Sequence, residues 1–331
     1  MTRAFGFDIR SARSPRASGW ERYARELSFV LRDLPGIYAF GRPANVAVER
    51  PLTDVGAAFS ARRYRVAHFP TYPPLPGARG QVATVFTLHD LTWWTHPETA
   101  SRMGLTYFRP LAERAVQACH VVTHSSFIAG EAQSHFGLHR DNISVIHPGV
   151  DIRDSTGGRL PSHLQGRPYL LAVGTLEPRK NMHRLVEAHA RSGLGDEVPL
   201  IIVGRRAWGE VPAGVSILSD LGDADLVALY QGATAVVVPS IYEGFGLPVL
   251  EALRLGTRVA CSDIPIFREV SGGHAVFFDP LDVDAIAHTL LGLASTPVGA
   301  SLDATGWART FTWERAGRQL HGLYCRLAAA I

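Results

Sequence analysis

Short apolar runs of strand type alternate with helical patterns along almost the whole chain, and no other feature limits its fold so tightly. Apolar runs joined through helices make βαβ units and parallel sheets. In the first half the spacing predicts strands over Phe5–Ile9, Ile37–Phe40, Val66–Phe69, Ala83–Leu88, His120–His124 and Ile143–Ile146. Helical patterns fall at Trp20–Leu31, Tyr107–Ala118 and Ile128–His135. In the second half the expected strands are Tyr169–Val173, Leu200–Val203, Val215–Ile217, Ala235–Val238, Arg258–Cys261 and Ala275–Phe278. Helices are expected at Asn181–Ser192, Asp223–Gln231, Pro248–Leu255 and Val283–Ala294. A length of 331 residues, 46 % of them hydrophobic, suits two such domains. The polar stretch DIRDSTGGRLPSHLQGRP (151–168), rich in Gly and Pro, reads as their linker. The expected division is 1–152, 153–310 and a closing helix, 311–331, that packs back on the first domain; Thr312 can cap that helix. Parallel sheets bind ligands beyond the carboxyl ends of their strands, so two of them facing each other would enclose a cleft.

Composition narrows the ligand. Formal charge is +3 and the isoelectric point about 8.9, with 33 scattered Lys and Arg. That argues against a nucleic-acid-binding tail, fits a phosphate-bearing ligand, and leaves room for peripheral contact with an anionic membrane. Cys119, Cys261 and Cys325 form no disulfide or metal spacing. MTRAFGFDIR lacks a signal-peptide core and no apolar run reaches membrane-span length, so a cytoplasmic setting is expected.

The chemistry concentrates in two loops. After the apolar run 235–238 comes PSIYEGFGLPVLEAL (239–253), with Glu243 and Glu251 eight positions apart. Pro248 suits a helix first turn, so a helix should start near Leu247 and carry Glu251 in its opening turn. Gly244 and Gly246 let the backbone approach a ligand, and the helix start offers N–H groups to a phosphate. Carboxylates on either side suit vicinal sugar hydroxyls. A plainer reading makes Glu251 a dipole-favouring glutamate and the glycines a turn. The second loop, GTLEPRKN (174–181), places Arg179 and Lys180 between a strand end and a helix start, where a diphosphate needs positive charge. Together the loops outline a pocket for a nucleoside diphosphate sugar.

These segments resemble the retaining family-4 glycosyltransferases of the GT-B fold, whose two Rossmann-like parallel-sheet domains face each other across a cleft. The resemblance covers nearly the whole chain. Its most specific part is EGFGLPVLE, supported by AVGTLEPRKNMHRLVEA and IPIFREVSGGHAVFFDP (264–280). In the first half it rests on SGWERYARELSFVL (18–31), TLHDLTWWTHPE (87–98) and VIHPGVD (145–151). It implies that Glu251 holds the donor ribose and Glu243 the transferred sugar's hydroxyls. Backbone N–H groups of Phe245, Gly246 and Leu247 would bind sugar and phosphate. Arg179 and Lys180, beside Gly174, would neutralise the leaving diphosphate. Gly19 would close on the phosphates and His89 would approach the sugar. Transfer by front-face displacement is implied, the leaving phosphate taking the acceptor proton.

The chain departs from the family pattern at Thr175, where many relatives carry Arg, and at Ser18-Gly19, where many carry Gly-Gly. Both departures concern phosphate contacts. GDP-mannose is the first expectation for the donor and a UDP-hexose the second, the base being chosen around SILSDLG (216–222). The acceptor hydroxyl belongs to a saccharide, a lipid-linked glycan or a small molecule. The rival functions are a GT-B nucleotide-sugar epimerase and a silent sugar-nucleotide-binding subunit. No metal is expected: Asp282 and Asp284 fall at a helix start, and the pairs His120/His124 and His135/His139 read as structural. His89 has the alternative of pairing with Asp90 to fix a loop. Trp93 and Trp94 either stack on an acceptor sugar or cap the core. Arg179 and Lys180 are expected on an exposed loop, replaceable together by Ala without loss of fold.

Overall fold

A computed structural model describes residues 3–12, 19–41, 50–75, 82–150, 157–205, 215–219, 221–296 and 302–331. The first half runs β1 (Arg3–Asp8), α1 (Gly19–Leu31), β2 (Ile37–Phe40), α2 (Arg50–Ala61), β3 (Tyr64–Phe69), β4 (Ala83–Thr87), α3 (Thr92–Thr95), α4 (Arg109–Ala118), β5 (His120–Thr123), α5 (Ser126–Phe136) and β6 (Ile143–Val145). The second runs β7 (Leu170–Val173), α6 (Met182–Ser192), β8 (Leu200–Val203), β9 (Ser216–Leu218), α7 (Asp223–Gly232), β10 (Ala235–Val238), α8 (Leu247–Arg254), β11 (Val259–Ser262), α9 (Pro265–Ser271), β12 (Val276–Phe278), α10 (Val283–Ser295), α11 (Leu302–Ala308) and α12 (Trp313–Ala329).

The strands form two six-stranded sheets, ordered β2-β1-β3-β4-β5-β6 and β12-β11-β10-β7-β8-β9, and every pairing is parallel. Strands β2, β8 and β10 have their expected bounds, and the others begin or end within two residues of expectation. The helices α2, α3, α9 and α11 were not legible. The last three have 4, 7 and 7 residues, too short for a period to show.

Two compact units result, one of residues 1–149 with 311–331 and one of 150–310. In the first, α12 joins α1 over the sheet: Trp313, Leu320, Leu323 and Tyr324 share a core with Tyr23, Leu27, Phe5, Phe7, Val66 and Val85. Thr312 caps α12 by accepting from the Arg315 N–H, as its position in the sequence suggested. In the second, Leu170, Ala172, Ile202, Val237 and Ala260 pack with Leu185, Ala188, Ile286 and Leu290 of α6 and α10.

The linker reading needs correction. Residues 151–156 lie outside the described ones, but 157–168 pack on the second unit. Leu164 is buried, the Arg159 N–H donates to Asp225 at 2.9 Å, and a Cβ on Gly158 would lie 1.9 Å from the Ala224 carbonyl. Polar composition hid a segment held by the buried Leu164, by a backbone bond to Asp225 and by the close approach of Gly158.

Strand order fixes where loops converge. From β7 the chain proceeds through β8 and β9 on one side, then resumes at β10 on the other. The switch between β7 and β10 leaves a crevice at their carboxyl ends. Into it run the two loops that hold the predicted chemistry.

Candidate functional site

Beyond β7 the chain makes a tight turn at Pro178–Lys180 and enters α6 through Asn181. Asn181 has φ of +57°, and among the described residues no other non-glycine has positive φ. Its side chain stabilises that conformation: the amide donates to the carbonyls of Pro239 (3.0 Å) and Pro280 (2.8 Å) and its oxygen accepts from Arg184 (2.9 Å). The turn after β7 is thereby tied to the chain ends following β10 and β12. A backbone bond from the Ile241 N–H to the Arg179 carbonyl, 2.9 Å, adds a second tie.

These ties bring Arg179, Lys180 and Glu243 together. Arg179 donates to Glu243 at 2.8 Å and to the Tyr242 carbonyl at 3.1 Å, while its other terminal nitrogen pairs with Glu177 at 2.7 Å. Lys180 pairs with the second oxygen of Glu243, which also accepts from Ser240 at 2.8 Å. Glu243 is 5 % exposed. Burial by itself would push its carboxyl up, but Lys180 and Arg179, with hydrogen bonds from Lys180 and Ser240, outweigh burial and hold it at about 2.

The exposed-loop expectation for Arg179 and Lys180 is therefore wrong. Their side chains are 15 % and 12 % exposed and carry three ion pairs between them. Replacing both with Ala would strand a buried carboxylate, a loss on the order of 3–5 kcal/mol.

Gly246 precedes α8 as its N-cap residue with φ of +91°, and a Cβ there would lie 2.5 Å from the Phe267 ring, so both conformation and space demand glycine. Phe245 is buried before it, and Leu247 is the first residue of α8. Gly174 has no such constraint, since a Cβ would meet nothing nearer than 3.7 Å. The glycine the crevice requires is Gly204, after β8, where a Cβ would sit 1.8 Å from the Gly174 carbonyl.

Glu251 is the fifth residue of α8, in its second turn rather than its opening one, because the helix starts at Leu247. This corrects the expected position and removes the dipole explanation with it. Glu251 is 3 % exposed and accepts from the Tyr230 hydroxyl of α7 at 2.6 Å. Tyr230 was not foreseen; it lies 21 residues away, and only the packing of α7 reveals the pair.

In the first unit, His89 lies just beyond β4 and is 7 % exposed. Its Nε2 bonds the Pro70 carbonyl at 2.8 Å, its Nδ1 meets His124 Nε2 at 2.8 Å, and its ring stacks on Trp20 at 4.9 Å. Burial lowers its pKa to about 4, only partly opposed by the Pro70 bond and by Asp90. Asp90 itself bonds the backbone two residues on, accepting from the Thr92 N–H at 3.0 Å. The two tryptophans divide: Trp94 donates to Glu113 and packs on Phe136, whereas Trp93 stacks on Phe108 and abuts Trp20. Gly19 is the first residue of α1 and exposed; Ser18 lies outside the described residues. His120 bonds Ser144 and His124 bonds His89, so that histidine pair is spent on protein contacts. Among the described residues no group of three His, Cys, Asp or Glu is arranged to hold a metal ion.

Comparison with known proteins bears on this arrangement. Residues 7–154 match the model described as Glycosyltransferase Family 4, and residues 161–297 that of Glycosyl transferases group 1. O-antigen chain mannosyltransferase B of Escherichia coli is 31 % identical over 328 residues, covering 91 % of this chain and 83 % of that protein. Sucrose-phosphate synthase of Thermosynechococcus elongatus superposes with a TM-score of 0.75 over 99 % of this chain and 100 % of its own, at 17 % identity. Anabaena HepE, solved with UDP and glucose, superposes at 0.70 over 98 % of this chain and 99 % of its own, at 18 % identity.

Proposed function

The chain belongs to the glycosyltransferases of family 4 and group 1, and from that premise we propose that it moves a hexose, mannose first, from a nucleoside diphosphate to an acceptor hydroxyl with retention of configuration. The observation that carries the reading is the convergence of Arg179, Lys180 and Glu243 at the β7/β10 switch, beside the N-terminus of α8. Two adjacent cations and a helix start favour a diphosphate, and a buried carboxylate held ionised accepts sugar hydroxyls. The mannosyl choice is supported by the relative that shares 31 % identity over most of both chains. The fold alone, shared with a neighbour solved with UDP and glucose, leaves a UDP-hexose as second choice.

In this mechanism Arg179 and Lys180 stabilise negative charge growing on the diphosphate as the glycosidic bond breaks. With Thr175 where an Arg is common, Arg179 takes that arginine's part. Glu243 exchanges its cationic partners for hydroxyls of the transferred sugar. Backbone N–H groups of Phe245, Gly246 and Leu247 hold sugar and phosphate, and Glu251 holds the ribose. Gly19 is assigned to the phosphates. His89 is assigned to the sugar, and a direct bond there requires it to give up Pro70 or His124. The departing phosphate receives the acceptor proton, so no protein base is required.

GDP is expected to raise the melting temperature more than UDP, dTDP or ADP, because a ligand that binds only the folded state stabilises it. A chain that responds to none of them is not a nucleotide-sugar enzyme. Incubation with donor alone separates the epimerase, which would isomerise the sugar without an acceptor. Transfer should persist in EDTA, since Arg179 and Lys180 provide the charge a divalent ion would bring; loss of turnover restored by Mg²⁺ would refute that. No helix among the described residues is long and apolar enough to cross a membrane. Contact with an anionic membrane, where a lipid-linked acceptor is met, is part of the proposal and is tested by co-sedimentation with anionic vesicles.

A further inference from the structure

Glu177 has no part in the roles above, yet it sits inside the same cluster. Its carboxylate meets the Arg179 guanidinium at 2.7 Å, and its side chain is 9 % exposed. Its backbone closes the turn as well, the Lys180 N–H donating to the Glu177 carbonyl at 3.0 Å. The Arg179 fork is thus held at both ends, by Glu177 through one terminal nitrogen and by Glu243 through the other. The four formal charges of Glu177, Arg179, Lys180 and Glu243 cancel.

We propose that Glu177 is a positioning residue for transfer, fixing the Arg179 guanidinium and offsetting one of the two positive charges offered to the diphosphate; this rests on the donor site proposed above. The first effect follows from geometry. A long, rotatable arginine anchored at one nitrogen presents the other in one orientation, and donors fixed in advance stabilise developing charge best. The second follows from charge. Glu243 is to exchange its cations for sugar hydroxyls, which leaves Arg179 and Lys180 to the diphosphate. Without Glu177 the two cations would hold the product nucleotide tightly, and tight binding of a leaving product slows turnover. With Glu177 ionised, the diphosphate meets a weaker net attraction.

Two variants separate these effects. Glu177→Gln keeps a group able to accept from Arg179 but removes the charge. Glu177→Asp keeps the charge but is one methylene too short for the 2.7 Å contact. The probe is whichever of GDP, UDP, dTDP and ADP raises the parent's melting temperature most. By calorimetry, Glu177→Gln should bind it about three- to tenfold more tightly and with steeper salt dependence, since one screened like charge has gone. Its maximal rate of nucleotide release from the donor should fall. Glu177→Asp should bind the nucleotide no more tightly than the parent and lose maximal rate with little change in donor KM. Parental affinity, salt dependence and maximal rate in Glu177→Gln would overturn the proposal, even where melting is lowered, because a purely structural role predicts that outcome. Should that variant not fold, a parental maximal rate in Glu177→Asp overturns it instead. A parent that responds to no nucleotide overturns the donor site and this inference together; a responsive parent with indifferent variants removes Glu177 alone.

Discussion

Glu251 is held by Tyr230 at 2.6 Å, and a ribose diol would have to share the carboxylate with that hydroxyl. Two consequences differ in what they measure. Glu251→Ala should weaken donor binding about tenfold or more, because hydrogen bonds to charged groups contribute about 1.5–3 kcal/mol. It should slow the chemical step much less, since ribose contacts are alike in ground and transition states. It should also lower stability by about 1–3 kcal/mol by removing the charged acceptor of the buried Tyr230–Glu251 hydrogen bond. Glu251→Gln, which can still accept from Tyr230, separates the two, keeping the melting temperature while losing donor affinity. Calorimetry showing equal donor affinity in parent and Ala variant would end the ribose assignment.

At the scale of elements, the closing helix shows how a distant segment completes a core. Gly317 of α12 faces α1 so closely that a Cβ would lie 2.6 Å from Val30 Cγ1. The Tyr324 hydroxyl reaches His68 of β3 at 2.5 Å, and His68 continues to Thr87 of β4 at 2.7 Å. Gly317→Leu should therefore destabilise the first unit by about 1–3 kcal/mol or more through overpacking, despite a helix propensity that favours Leu. An unchanged or raised denaturation midpoint in that variant would show that α12 is not packed on α1 as described. The same lesson applies to the turn after β7: its own backbone bonds close it, but Asn181 ties it to Pro239 and Pro280, far away in sequence.

The whole molecule should respond to acid unevenly. Burial holds His68 at about 3, His89 at about 4 and His124 well below the ordinary histidine value of 6.5, and all three belong to the first unit. Between pH 6.5 and those values the unfolded chain binds protons that the folded chain does not. Stability is then complete above about pH 6.5 and falls as pH drops, by about 1.4 kcal/mol per pH unit for each such histidine. In the second unit Glu243, lowered from 4.5 to about 2, follows the same sign but only below pH 4.5. Hydrogen exchange at pH 7 and pH 5, corrected for intrinsic rates, should show protection in β3, β4 and β5 falling before that in β7, β8 and β10. Equal losses, or the reverse order, would contradict this account.

The sequence by itself determined the alternation of strand and helix, the two parallel sheets, and the placing of GTLEPRKN and PSIYEGFGLP at strand ends. Those features are written in local pattern: apolar runs, a Pro in a helix first turn, glycines where the chain bends. Helices α3, α9 and α11 escaped because a period needs more residues than they have. Tertiary structure alone decided what each charged group touches. Arg179, Lys180 and Glu243 were each legible as polar residues on loops, but that the two cations pair with Glu243 depends on β10 lying beside β7, and that Tyr230 holds Glu251 depends on α7 meeting α8. Residues 21 to 64 positions apart meet there only once the sheet and its helices have assembled, and no local pattern encodes that meeting.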